Sequence, residues 1–227
     1  APPLHGIAGN NFLLNGKMVY CCSDSTVSTV GSKSAEGKMS PRNMLTTTIG
    51  DELKIATDFK AKVIGVSLKD RAAILPAGHA ADGAYWIDYS TGTFISSTYY
   101  MKELPKWAVD YNKSIGKVTK DQICYTPLGN KITEEMAKAA VAGEQLGGDN
   151  VTDLLAVSFS CTDMIGHKYG THSDKTREIY VDLDKRLADL FGYLDQNVGK
   201  DQYLVFLMAD HGAANSILLS REHGLPA

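Results

Sequence analysis

Three short apolar runs divide the chain and predict its strands. They are residues 62–67 (KVIGVS), 153–159 (DLLAVSF) and 203–208 (YLVFLM). Short runs rich in β-branched and aliphatic residues are typical of buried strands. Because helical patterns lie between these runs, we predict an α/β fold with a mainly parallel sheet flanked by helices.

Capping residues indicate where the first helix begins. The polar, Gly- and Ser-rich residues 31–42 are predicted to form a loop. Ser40 and Pro41 suit the N-cap and first turn of a helix, which is predicted over residues 42–57.

Further helices are predicted in the second half of the chain. Pro105 opens a short helix, and Thr133 is the expected N-cap of a longer one that stops near Gly147. Residues 173–199 have apolar positions at a spacing of three to four, which predicts a long amphipathic helix.

An aromatic segment separates the first two predicted strands. Within residues 84–100, an aromatic stretch lies on each side of a Ser-Thr-Gly turn, and this pattern predicts a β-hairpin. We expect a single domain over residues 1–227, with an inserted, cap-like region at about 84–130. Four aromatic residues of this region could contact a substrate leaving group or could simply pack: Tyr85, Trp86, Tyr99 and Tyr100.

The composition excludes several classes of protein. The chain has 227 residues, of which 44% are hydrophobic and 22% charged, as is ordinary for a soluble globular protein. Its net charge of −3 comes with no basic stripe, so we expect no nucleic-acid partner. No apolar run approaches the roughly 20 residues that a membrane span needs. The four cysteines include no C-x-x-C pair, so we interpret them as small buried or half-buried thiols.

Each of the three predicted strands is followed by residues capable of chemistry, at the edge of the sheet where functional groups collect. A capping Asp with a surface His, or a solvated cationic loop, would account for any one of these groups alone. Their occurrence at separate strand ends favours a metal site beside a phosphate site, because Zn²⁺ takes carboxylate and imidazole ligands and phosphate takes Lys and Arg. The residues are Lys69 and Arg71, Asp163 and His167, and Asp210 and His211.

Five stretches of the chain carry a family resemblance. They are HGIAGNN (5–11), SPRNMLTTTIGDELK (40–54), VSLKDRAAILPAGHAADGAYW (66–86), SFSCTDMIGHKYG (158–170) and FLMADHGAA (206–214). With them the chain resembles the alkaline phosphatase superfamily, and within it the PafA-like zinc phosphomonoesterases. The resemblance implies an alkaline-phosphatase-like α/β fold and hydrolysis of small phosphate esters, with two Zn²⁺ ions as cofactors.

The resemblance also implies roles for individual residues. Asp163 and His167 would ligate the zinc that stabilises the leaving-group oxygen, and Asp210 and His211 the zinc that activates the nucleophile. Two metals that hold the attacking and leaving oxygens suit an in-line phosphoryl displacement. Three residues would hold the non-bridging phosphoryl oxygens: Asn10, Lys69 and Arg71. His79 is expected to be structural.

The chain departs from the family pattern at the catalytic centre. The family's Thr or Ser nucleophile and one zinc-ligating Asp precede the HGIAGNN stretch, and its last zinc-ligating His lies well beyond ADHG. We interpret His223 as solvent-facing rather than as that ligand. The chain is therefore expected to be an internal fragment that binds zinc weakly and does not turn over phosphate esters alone, although the parent protein does so through a covalent phospho-Thr or phospho-Ser intermediate.

Two alternative functions remain open from the sequence. One is a phosphodiesterase or nucleotide pyrophosphatase of the same superfamily. The other is a non-catalytic α/β fragment that binds a metal or a partner. The resemblance further implies a periplasmic or secreted protein, and it leaves the oligomeric state undetermined.

Overall fold

A computed structural model describes residues 2–209, 211–213 and 224. Its main sheet has five strands in the order β3-β6-β5-β4-β7, and a separate hairpin is formed by β1 and β2. The three strands β5, β4 and β7 run parallel, while β6 and β3 are antiparallel additions. The strands are β1 (Asn11–Leu14), β2 (Lys17–Tyr20), β3 (Thr29–Val30), β4 (Val63–Ser67), β5 (Gly83–Asp88), β6 (Thr93–Ser97) and β7 (Leu154–Ser158).

Eight α-helices and one π-helical turn connect these strands in the described part of the chain. None of these helices is long and apolar enough to cross a membrane. The α/β class predicted from the sequence is confirmed. The helices are α1 (Pro2–His5), α2 (Ile49–Ala56), α3 (Asp70–Ala77), α4 (Lys106–Ile115), α5 (Lys120–Tyr125), α6 (Leu128–Glu144), α7 (Cys161–Tyr169) and α8 (Asp174–Leu194), with the π-helical turn at Asp195–Gly199.

Strand β4 is the centre of the parallel part of the sheet and is buried along its whole length. It pairs with β5 on one side and with β7 on the other, in a register that sets Ser67 opposite Ser158. The carboxyl ends of β4 and β7 therefore reach the same edge, and the residues that follow them are brought together there.

Side chains alternate between two apolar clusters, one on each face of the sheet. On β5, Tyr85 and Ile87 join the cluster against α4, α6 and α7, whereas Ala84 and Trp86 join the cluster against α3 and the β1–β2 hairpin. Tyr85 and Trp86 are only 1% and 2% exposed, which makes them packing residues.

The hairpin predicted over residues 84–100 is present as β5 and β6, and it forms part of the main sheet. The chain continues from it through α4 and α5. Whether residues 84–130 are an insertion stays a prediction.

Two predicted helix starts are wrong. Helix α2 begins at Ile49 rather than near Ser40, because Thr48 and Asp51 form a reciprocal capping box in which each side chain accepts from the other's backbone N–H. Thr133 lies inside α6, where its hydroxyl donates to the Gly129 carbonyl at 2.8 Å.

The third predicted strand is also wrong. Residues 203–208 are irregular, and four of their apolar side chains are highly exposed. An apolar run becomes a strand only where another strand supplies its hydrogen bonds, and in the described part of the chain none pairs with this run. Asp210, which follows shortly after this run, and His223 lie outside the described residues.

Candidate metal and phosphate site

Two buried serines join the strand ends on which the candidate site is built. Ser67 ends β4 and Ser160 is the N-cap of α7, and their hydroxyl oxygens lie 3.2 Å apart. The Ser67 hydroxyl also accepts from the backbone N–H of Lys69 at 3.2 Å. This contact fixes the start of the β4–α3 loop against the start of α7.

Asp163 and His167 lie on one face of α7, one helical turn apart. The Asp163 Oδ1 atom is 3.1 Å from His167 Nε2. The helix itself supplies the spacing that brings the two side chains together. His167 remains 78% exposed, so its imidazole faces the open side of the site.

Asp163 is the residue on which the described site converges. Its Oδ2 accepts a short hydrogen bond from Lys69 Nζ, and its Oδ1 lies 3.8 Å from His211 Nε2. Residues from three separate segments thus meet around one carboxylate. Lys69, His167 and His211, all predicted from the sequence as site residues, are brought together here.

The cations around Asp163 control its protonation. Partial burial alone would raise its pKa. The hydrogen bond and charge of Lys69, followed by the charges of His167 and His211, outweigh this effect and hold the pKa below its ordinary value. Asp163 is therefore an anion over the physiological pH range.

Arg71 lies on the first turn of α3, close to Lys69 in sequence but with different partners. Its Nη1 donates to the hydroxyl of Tyr20 at 3.4 Å. Burial alone would lower the pKa of Arg71, but the Tyr20 contact and the charge of Asp70 hold it above its ordinary value. The guanidinium is half-buried and keeps its positive charge.

Asn10 comes from the β1–β2 hairpin. It directly precedes β1, and its carbonyl accepts from the backbone N–H of Cys21 at 2.8 Å. Its side chain is exposed, and no side-chain hydrogen bond joins it to Lys69 or Arg71 among the described residues. His79 contributes its backbone carbonyl, which accepts from the Tyr99 hydroxyl at 3.0 Å.

The donor atoms at Asp163 fit a divalent metal such as Zn²⁺ in their chemistry. One carboxylate and two imidazoles are the oxygen and nitrogen ligands that this ion takes in proteins. Among residues 2–209, 211–213 and 224, however, no group of three or more His, Cys, Asp or Glu side chains is arranged to hold one ion. The described residues therefore supply suitable donor types without a complete coordination set.

Sequence reasoning missed Ser67, Ser160 and Tyr20. Both serines lie at the predicted strand ends, and a hydroxyl at the last position of a buried strand could have signalled a link to its neighbour. Nothing in the sequence pattern connected Tyr20 with Arg71, because the two are 51 residues apart.

Comparison with known proteins places this architecture in a family. A profile of the type I phosphodiesterase/nucleotide pyrophosphatase family matches residues 1–218. Because the match extends over nearly the whole chain, the chain belongs to that family.

Two of the similar proteins are named as alkaline phosphatases, and a third, 41% identical over 95% of this chain and 49% of its own length, is named as a calcium-transporting ATPase of Myroides odoratus. The chain is 43% identical to alkaline phosphatase PafA of Elizabethkingia meningoseptica, over 99% of this chain and 51% of PafA. It is 43% identical to alkaline phosphatase PhoV of Synechococcus elongatus, over 94% of this chain and 48% of PhoV. The chain spans about half the length of these relatives.

Solved structures support the same relationship. The crystal structure of wild-type PafA matches with a TM-score of 0.95 at 44% identity, over 99% of this chain and 53% of that one. A PafA variant with a Thr replaced by Ser, and with an Asn, a Lys and an Arg each replaced by Ala, matches with a TM-score of 0.95 at 42% identity, over 99% and 54%. The expected alkaline-phosphatase-like fold is thereby confirmed.

Proposed function

We propose that the natural protein containing this chain is a metal-dependent phosphate monoester hydrolase that uses two Zn²⁺ ions. The observation that carries this proposal is the meeting of Lys69, His167 and His211 around the Asp163 carboxylate. A cation beside a carboxylate and imidazoles provides for both a phosphoryl group and its metals. The names of the relatives PafA and PhoV agree with this chemistry.

In this proposal the metal ligands are divided between two ions. Asp163 and His167 hold one ion, and Asp210 and His211 hold the other. When bound, the ions would supply Lewis-acid stabilisation of the attacking and leaving oxygens. The proximity of His211 Nε2 to Asp163 Oδ1, at 3.8 Å, supports two adjacent ions rather than distant ones.

Lys69, Arg71 and Asn10 are proposed to hold the non-bridging oxygens of the phosphoryl group. Lys69 is the N-cap of α3 and Arg71 lies in its first turn, so the same helix start carries both cations. The PafA variant supports this assignment, since the residue types that it replaces include an Asn, a Lys and an Arg. The nucleophile is proposed to be a Thr or Ser that forms a covalent phosphoryl intermediate.

The metal assignment is tested by H167A in the natural protein. We expect H167A to lower kcat/KM for an aryl phosphate by about 10²–10³-fold and to reduce zinc content in elemental analysis. The exposed His172, on the loop before α8, provides the matched control H172A, which should retain full activity and zinc. Equal zinc content in H167A and the wild type would contradict the assignment.

A phosphodiesterase is the second candidate, favoured by the description of the family whose profile matches. The two are separated by K69A/R71A, because a monoester dianion has more charge on its terminal oxygens than a diester. We expect each lost cation to cost monoesterase activity about 10²–10³-fold, with a much smaller loss toward a diester. The exposed Lys106 provides the control K106A. Equal losses toward both substrates would favour the diesterase.

We also propose that the protein is periplasmic or secreted. The support is the family resemblance alone. Cell fractionation with the activity assay would test it, and activity confined to the cytoplasmic fraction would contradict it.

A further inference from the structure

Tyr20 links two elements that carry proposed phosphate-binding residues. It ends β2 of the hairpin, where its backbone pairs with Asn11, the residue after Asn10. Its hydroxyl reaches the start of α3, where it donates to Asp70 Oδ1 at 2.7 Å and accepts from Arg71 Nη1 at 3.4 Å. One side chain thus spans from the Asn10 hairpin to the Arg71 helix.

The direction of these hydrogen bonds is fixed by the groups involved. A guanidinium only donates and an ionised carboxylate only accepts. The Tyr20 hydroxyl must therefore give its single proton to Asp70 and offer its oxygen to Arg71. Asp70 consequently orients the hydroxyl, and the oriented hydroxyl holds the guanidinium.

Asp70 depends on this contact. Its Oδ2 atom is buried and has no hydrogen-bond partner in the part of the chain that the structure describes. The Tyr20 ring packs partly buried against the cluster that contains Cys21, Ile74 and Trp86, so the hydroxyl is presented from a fixed base. Burial and the neighbouring carboxylate raise the pKa of Tyr20, which keeps it a neutral donor at physiological pH.

We propose that Tyr20 is a positioning residue for Arg71, one that sets the guanidinium relative to the Asn10 hairpin so that both can reach one phosphoryl group. This inference rests on the proposed function, because Arg71 must contact the phosphoryl group for its position to matter. Tyr20 itself touches neither substrate nor metal in this scheme.

The test is a double-mutant cycle in the natural protein, with Y20F, R71A and the double variant. Y20F removes only the hydroxyl, and we expect it to lower kcat/KM for an aryl phosphate by about tenfold and to weaken inhibition by inorganic phosphate by a similar factor. In the R71A background the same Y20F change should have almost no further effect, because its target is gone. A purely structural role would lower activity equally in both backgrounds and would overturn the proposal.

Tyr111 provides the matched control. Its hydroxyl is also hydrogen-bonded, to the Ile132 carbonyl at 2.9 Å and to Glu135 at 3.3 Å, but it packs between α4 and α6. Y111F should leave kcat/KM unchanged in both backgrounds. An equal loss in Y111F and Y20F would overturn the proposal.

A substitute variant and a binding measurement cover the cases in which Y20F does not fold or the wild type has no activity. If Y20F does not fold, D70N serves in its place, because it removes the charge that orients the hydroxyl, and its effect should also vanish in R71A. A wild-type protein without monoesterase activity would refute the proposed function. The cycle would then be measured on phosphate affinity by calorimetry, where additive losses would overturn the positioning role independently.

Discussion

The strand β4 and the segment 203–208 have similar apolar sequences but opposite structures. Val63 and Val66 in β4 are both 0% exposed, whereas Leu207 and Met208 are 82% and 85% exposed. The difference lies in the neighbours: β4 pairs on both sides, while 203–208 pairs with no strand in the described part of the chain. Apolar composition favours a strand, but pairing decides it.

The largest expected effect comes from placing one charge in each region. V66D buries a carboxylate in the core of β4 without a partner, so this chain should lose more than about 4 kcal/mol of unfolding free energy or fail to fold. L207D should change the unfolding free energy by less than about 0.5 kcal/mol, because residue 207 is exposed. Urea denaturation measures both, and similar losses would contradict the exposure of residue 207.

A smaller effect is expected where α3 crosses β4. A Cβ at Gly65 would lie 2.1 Å from the Ala73 carbonyl oxygen and 3.0 Å from the Ala77 Cβ, so G65A should push α3 away from the strand. We expect a loss of about 1–3 kcal/mol in unfolding free energy, as for other overpacked sites.

Gly192 on α8 provides the control for this prediction, because a Cβ there would meet nothing within 4 Å. G192A should stabilise the chain by up to about 1 kcal/mol through helix propensity. Thermal unfolding of both variants tests the comparison, and a neutral G65A would show that α3 is loosely packed.

The smallest effect concerns acid stability. Asp24 is buried and accepts from Ser40, Thr26 and Arg42 at 2.6 to 2.9 Å. Burial would raise its pKa, but these hydrogen bonds hold it well below its ordinary value. Its contribution is therefore present above about pH 4, the ordinary Asp range, and is lost as the pH falls further toward its folded-state pKa.

D24N removes this dependence. We expect D24N to lower the unfolding free energy by about 1–3 kcal/mol at neutral pH. Its unfolding free energy should also fall less steeply than that of the wild type as the pH is lowered. D110N is the control, because Asp110 lies on the surface of α4 with exposed Lys partners. Urea midpoints between pH 2 and 7 measure both variants. If the midpoints of D24N and the wild type fell equally steeply as the pH is lowered, the role of Asp24 would be contradicted.

Strands β4 and β7 and the residues at their ends were predictable from the sequence alone, because a short apolar run followed by Lys69 or Asp163 fits the carboxyl end of a strand in a parallel sheet. The prediction failed where tertiary contacts decide. Ser40 was a plausible N-cap, yet Thr48 has the Asp51 partner that completes a capping box. Segment 203–208 was a plausible strand without a neighbour.

The candidate site was predictable as a set of residue types but not as a geometry. The contact of Lys69 with Asp163 depends on the register of β4 against β7, and the approach of His211 to the same carboxylate depends on where the segment after α8 lies. No local pattern encodes that register. The role of Tyr20 could not be predicted for the same reason, because it depends on the contact between the β1–β2 hairpin and α3.

The helical spacing of Asp163 and His167 has a consequence for how this family can vary. Successive residues of a helix are rotated by about 100°, so one residue inserted between the two would turn His167 away from Asp163. A substitution at Gly166, which has open space for a larger side chain, leaves the pair aligned, whereas Ile165 is held in the core. Related sequences should therefore always have three residues between this Asp and this His, although the identity of those residues can differ.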